Sequence, residues 1–148
     1  HERGTVVPYQ RLRQHLDALV ALAGRVAERL PMATRALVRQ RLAQLGIDVE
    51  VLRLSTYRSV SGIMRAGRPG PEGSMLKVLW SELEQRIMEA AGWLSGTHAA
   101  LDEHAPEAPD AGRWQYGALW SRAATIYAGT SEVQRNIIAQ RVLGLPRA

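Results

Sequence analysis

The sequence predicts an all-α domain, and three observations predict it. Apolar residues recur at spacings of three and four along most of the 148 residues, no stretch alternates apolar and polar residues with β-branched enrichment, and breakers bearing Pro and Gly divide the periodic stretches. Three long helices followed by a shorter C-terminal pair pack naturally as an up-down four-helix bundle with a short C-terminal helix. One domain spanning residues 1–148 suits this length.

Each element follows from its pattern. From Tyr9 to Leu30 the positions Leu12, Leu16, Leu19, Val20, Ala23, Val26, Ala27 and Leu30 form one stripe, and Pro31 stops the helix because it lacks an N–H. Thr34 is suited to cap a second helix, whose stripe runs through Leu37, Leu42, Leu45, Val49, Leu52, Val60, Ile63 and Met64 to the breaker Ala66-Gly67-Arg68-Pro69-Gly70. A third opens after Gly70, with Pro71 suited to the first helical position, Glu72 at the positive end of the dipole, and Gly96 at its end. Its stripe is Leu76, Leu79, Leu83, Ile87, Ala90, Ala91 and Leu94. Thr97 to Arg113 has no period and reads as a solvated loop. A short helix covers Trp114 to Ala124, and a last one follows Gly129, capped by Thr130 or Ser131, with Glu132 in its first turn, closing at Gly144 and Pro146.

Composition narrows the chemistry. Without cysteine there is no disulfide, Cys-ligated zinc, iron–sulfur cluster or thiol nucleophile. His1, His15, His98 and His104 are scattered without the spacing a metal site needs, so no metal is expected. No apolar run approaches the roughly 18 residues that span a bilayer. The +5 formal charge comes from arginines spread over several helix faces, which reads as solvation of those faces rather than nucleic-acid binding. His1-Glu2-Arg3-Gly4 has no initiator Met and no signal pattern, so the chain reads as a piece of a longer polypeptide.

The chemistry-bearing string is Thr125-Ile126-Tyr127-Ala128-Gly129-Thr130-Ser131-Glu132-Val133-Gln134-Arg135, a glycine turn between two helices. Such a turn exposes backbone N–H groups and a dipole end, which suit a carbonyl oxygen or a phosphate; taken alone it is more often only a helix cap. Continued by Asn136 to Arg147, the string resembles the C-terminal signature of bacterial, actinobacterial-type flavin-dependent acyl-CoA dehydrogenases. Val38 to Leu42, Val49 to Leu54 and Leu76 to Leu83 are similar to the central helices of that family, so the resemblance covers nearly the whole chain.

The resemblance implies the C-terminal helical domain of such an enzyme, with the N-terminal helical and middle β-domains absent from this chain, which alone is expected to be inactive. It implies FAD as cofactor, an acyl-CoA thioester as substrate, electron-transferring flavoprotein as electron acceptor, a homo- or hetero-tetramer, and a bacterial cytoplasmic location. The reaction would be α,β-dehydrogenation, with the α-proton taken by a carboxylate and the β-hydride passed to the flavin. Many members place that carboxylate between the Tyr and the Gly of the turn, where this chain has Ala128. Others place it on the first helix, just before an arginine, and Glu2-Arg3 matches that pair. Glu2 is then the expected base, and Arg3 helps hold the substrate site. The Ala128 N–H would bond the thioester carbonyl, Tyr127 and Gly129 would line the substrate pocket, and Thr130 and Glu132 would lie near the adenosine of FAD.

Two family segments that contact a neighbouring subunit's FAD have no counterpart here: an Arg with an aromatic-Gly near Pro31 to Leu37, and a Gln with a double glycine where this chain has Trp93-Leu94-Ser95-Gly96-Thr97-His98. Members of this type include hetero-oligomers that share FAD between unlike subunits. The alternative expectation is therefore a non-catalytic domain that completes a partner's site.

Overall fold

A computed structural model describes residues 9–146. It contains α1 (Tyr9–Val26), α2 (Met32–Ala66), α3 (Glu72–Ser95), α4 (Arg113–Ala124) and α5 (Ser131–Arg141), with 3-10 turns at Ala27–Arg29, Gly96–Ala100 and Pro109–Gly112. Among the described residues there is no strand, so the all-α bundle expected from the periodicity is the observed fold. Among the described residues no helix is long and apolar enough to cross a membrane.

The third helix is the central element, packing against each of α1, α2, α4 and α5. Leu83, Ile87 and Ala91 on α3 have no exposed surface and meet Leu12 and Leu19 of α1 and Leu52 of α2 in one core cluster. The α1 stripe is as expected except at Val20, which is 49% exposed, while Leu22 takes the inward position. On α2 only the middle of the stripe is covered: Leu45, Val49 and Leu52 are buried, whereas Leu37, Val60 and Met64 are exposed. Beside its apolar stripe, α3 buries a polar row that the hydrophobic pattern did not announce, formed by Lys77, Ser81 and Glu84.

Two helix starts differ from expectation, and neither has a side-chain cap. Thr34 is not the cap of α2; Pro31 is, its carbonyl accepting from the Arg35 N–H at 3.0 Å. The Arg35 guanidinium donates back to Leu30 O (2.9 Å) and Glu28 O (3.0 Å), which satisfies the carbonyls left by the preceding turn, and the cap lies three residues earlier than Thr34. At the other hairpin, Pro71 is the cap of α3 rather than its first residue.

Thr97 to Arg113 is not a featureless loop. Gly96–Ala100 and Pro109–Gly112 wind as 3-10 turns, and Asp110, Ala111 and Gly112 are successively left-handed (φ 50°, 54° and 71°). One carboxylate anchors that strained run: Asp110 accepts from Arg25 of α1 at 2.7 Å and from the indole N–H of Trp114 of α4 at 2.7 Å. Trp114 is only 3% exposed, and a buried indole needs such an acceptor. Thr130 caps α5, its hydroxyl accepting from the Val133 N–H at 3.3 Å. That helix ends at Arg141 and unwinds through Gly144.

Candidate active site

The turn between α4 and α5 is fixed from several sides. The N–H groups of Ile126 and Tyr127 donate to Ala123 O at 2.9 and 3.0 Å, and the Ser131 N–H donates back to Thr125 O at 3.0 Å. Gln85 of α3 donates to Ser121 O and Thr125 Oγ1, both at 3.1 Å. Lys77, 5% exposed, donates through Nζ to Ala124 O, the last carbonyl of α4, at 2.7 Å. Burial pushes the Lys77 ammonium pKa down, and the carboxylates of Glu82 and Glu132 oppose that shift.

Within this frame Ala128 is left-handed, with φ 55°, a conformation costing a residue with a Cβ about 1–2 kcal/mol. Its carbonyl accepts from Gln134 Nε2 at 3.0 Å. The N–H groups of Ala128 and Gly129 find no acceptor among the described residues. Gly129 has φ 95°, a conformation that calls for glycine, and a Cβ there would come within 2.5 Å of Gln134 Nε2, so the amide would have to withdraw from Ala128 O. Unpaired N–H donors at a strained turn are the kind of group an oxyanion-type site uses.

Tyr127 flanks the turn, its ring centroid 5.9 Å from Lys77 Nζ and 6.3 Å from the Trp80 ring. Burial raises its hydroxyl pKa, the nearby Glu84 charge adds to that, and Arg11 opposes it. Glu84 is 3% exposed and paired with Arg11 of α1 at 3.0 Å; burial pushes its carboxyl up while Arg11 pulls it down. This places a desolvated carboxylate, a guanidinium and an ammonium around Tyr127.

A cleft of about 490 Å³ opens on the other side of the turn, between Glu82, Gln85, Arg86 and Glu89 of α3 and Thr125, Ile126, Thr130, Ser131, Glu132 and Arg135. It is an open cleft with a mainly polar lining. Ser131, at the first position of α5, is 5% exposed and its hydroxyl has no partner among the described residues. Buried polar groups are normally satisfied, and an orphaned hydroxyl at a helix N-terminus suits a phosphate or a sugar oxygen. Glu132 is held below the usual carboxylate range by its own backbone N–H and then by the Thr130 hydroxyl. Among the described residues no group of three or more His, Asp or Glu side chains is placed to hold a metal ion.

The structure thus brings together Tyr127, Ala128, Gly129, Thr130 and Glu132 in a single turn and helix start. Glu2 and Arg3 lie outside the described residues. Pattern reading named Ser131 only as a possible cap and Gln134 only as part of the string, and it missed Lys77 and Glu84. The available signal was spacing: Lys77, Ser81 and Glu84 run at i, i+4 and i+7 on α3, and Gln134 lies one turn after the Thr130 cap.

A helical bundle that presents unpaired backbone donors beside an anion-ready helix start defines a domain class, and the chain belongs to the acyl-CoA dehydrogenase family, matching its C-terminal domain over residues 1–143. Among its relatives is the acyl-CoA dehydrogenase IpdE1 of Mycobacterium tuberculosis, 34% identical over 150 residues that take in 99% of this chain and 36% of that protein. IpdE1 of Mycolicibacterium smegmatis is 36% identical over 122 residues, 82% of this chain and 29% of that one. The chain therefore spans about a third of the length of these curated relatives. Among solved structures, the ChsE4-ChsE5 complex of Mycobacterium tuberculosis superposes with TM-score 0.79 at 29% identity, over all of this chain and 39% of that one. A steroid acyl-CoA dehydrogenase described as Tcur3481-Tcur3483 shares the fold with TM-score 0.81, at 21% identity over 95% of this chain and 35% of the other.

Proposed function

We propose that this chain is the C-terminal domain of an FAD-dependent enzyme that dehydrogenates an acyl-CoA thioester between Cα and Cβ. The observation that carries the reading is the left-handed Ala128 turn, with its carbonyl tied back and its N–H groups lacking an acceptor, set beside the Ser131 cleft. The Ala128 N–H donates to the thioester carbonyl, which acidifies the α-proton as charge develops on that oxygen. Tyr127 and Gly129 line the substrate side. Glu2 removes the α-proton, and Arg3 holds the substrate site. Base work near neutral pH requires the carboxyl of Glu2 to be desolvated when substrate excludes water.

The residues present fit the cofactor: Thr130 and Ser131 offer a helix start and a buried hydroxyl for its phosphate oxygens, and Glu132 a carboxylate that accepts from its ribose hydroxyls. Bound FAD supplies the hydride acceptor. Electrons then leave through an electron-transferring flavoprotein, in a bacterial cytoplasmic setting. The decisive experiment exchanges Glu2 for Gln in the full-length protein. Turnover should fall by at least about a thousandfold with flavin still bound, and wild-type turnover in the variant removes Glu2 as base.

A second reading, a subunit whose helical domain completes a partner's site, is favoured by two observations. The neighbour at 29% identity is a complex of two named components, ChsE4 and ChsE5, and this chain leaves Met32, Leu37, Met64, Leu119 and Trp120 exposed on α2 and α4. A full-length preparation that is colourless and inactive alone, yet restores flavin and activity when mixed with a second subunit, would establish it; a yellow, active homo-oligomer would refute it.

A further inference from the structure

We propose that Gln134 is the positioning residue for the carbonyl-binding turn, its buried amide holding Ala128 left-handed and setting the direction of the Gly129 N–H that follows it. The inference rests on the reading that the Ala128 N–H binds the thioester carbonyl. Gln134 lies one turn into α5, is 2% exposed, and donates through Nε2 to Ala128 O at 3.0 Å. In a trans peptide the C=O and N–H point in opposite directions. Drawing the Ala128 carbonyl into Gln134 therefore turns the Gly129 N–H to the opposite side of the turn.

The same bond holds Ala128 in its left-handed conformation, which a residue with a Cβ leaves readily for extended backbone when nothing restrains it. Restraint from before the turn already exists, through Lys77 on Ala124 O and Gln85 on Thr125 Oγ1. Those bonds act on residues ahead of the strained position. Ser131 N–H on Thr125 O closes the loop across it, and Gln134 alone among the described residues grips Ala128 itself. The absent side chain at Gly129 is what lets the amide come so close.

The test uses the flavin-loaded full-length protein with Gln134→Met, which keeps the length of the side chain and removes the donor. Two quantities are read: the red shift of the ultraviolet absorption of an enoyl-CoA on binding, which reports polarisation of its carbonyl, and the separate changes in kcat and KM. The variant should keep its flavin and its KM within a few-fold, lose most of the red shift, and lose about 10- to 100-fold in kcat, less than removal of a whole oxyanion donor. A folded variant with wild-type red shift and wild-type kcat overturns the role of Gln134. Absence of any red shift in the wild-type protein overturns instead the underlying reading of the Ala128 N–H. If Gln134→Met does not accumulate as folded protein, Gln134→Asn, whose amide is withdrawn by one methylene, is read in the same way against the same outcomes.

Discussion

His15 makes the stability of this domain depend on pH in a direction and window that the structure specifies. It lies on α1 between Leu12 and Leu19, half-buried, with Nδ1 lacking a partner among the described residues. Burial, then the positive charges of Arg113 and Arg11, lower its pKa from 6.5 to about 4. Above about pH 6.5 the ring is neutral in both the folded and unfolded chain and contributes no slope. Between 6.5 and 4 the unfolded chain binds a proton that the folded chain refuses, so stability falls as pH falls, and the loss is complete below the folded value. At about 1.4 kcal/mol per pH unit the ceiling is about 3 kcal/mol, and solvent reaching the outer part of the ring reduces this to about 1–2 kcal/mol. The assay is urea unfolding followed by far-ultraviolet circular dichroism at pH 7, 6, 5 and 4.5, comparing the wild type with His15→Leu. Carboxylates contribute equally to both proteins, so the difference isolates the ring: the curves should diverge progressively below pH 6.5, with the variant the more stable. Parallel curves across that range would refute the reasoning.

Three further outcomes are expected. Leu83→Ala, at a position with no exposed surface where α3 meets the rest of the core, should cost about 2–5 kcal/mol by chemical denaturation. Lys77→Met should cost about 1–2 kcal/mol, because Ala124 O loses a charge-assisted bond while the relief of burying an ammonium offsets part of it, and it should lower the melting temperature without changing the far-ultraviolet spectrum. Gly129→Ala should destabilise by about 1–3 kcal/mol from its left-handed backbone and the collision with Gln134, and in the full-length enzyme it should abolish the enoyl-CoA red shift.

Much of the scaffold was legible because apolar spacing is a direct record of which face a helix buries. Leu12, Leu16 and Leu19 on α1, and Leu76, Leu83 and Ile87 on α3, are buried as their spacing requires. The same logic overreached on α2, because a periodic face says only that something can cover it. Leu37, Val60 and Met64 extend past the reach of their neighbours within the chain. The buried polar row on α3 was illegible for the opposite reason. A lysine or glutamate goes inside only where a distant partner waits, and Ala124 O and Arg11 are 47 and 73 positions away from Lys77 and Glu84. At the candidate site the string from Tyr127 to Glu132 was recognisable, but an alanine gives no sign that it will be left-handed. That conformation follows from its tertiary setting, where Gln134 holds the carbonyl, rather than from its own preference.

The joint at Asp110 has a mechanical consequence. By gripping both Arg25 and Trp114, one carboxylate references the start of α4 to α1, and the helix then carries that reference about 18 Å along its axis to the turn at its far end. Such a rod is a lever: a tilt of about three degrees at Asp110 displaces Ala128 by about 1 Å, a distance on which the rate of a positioned reaction is known to depend steeply. Substitutions in the surface loop before α4, remote from any reacting atom, are thereby coupled to the aim of two backbone N–H groups.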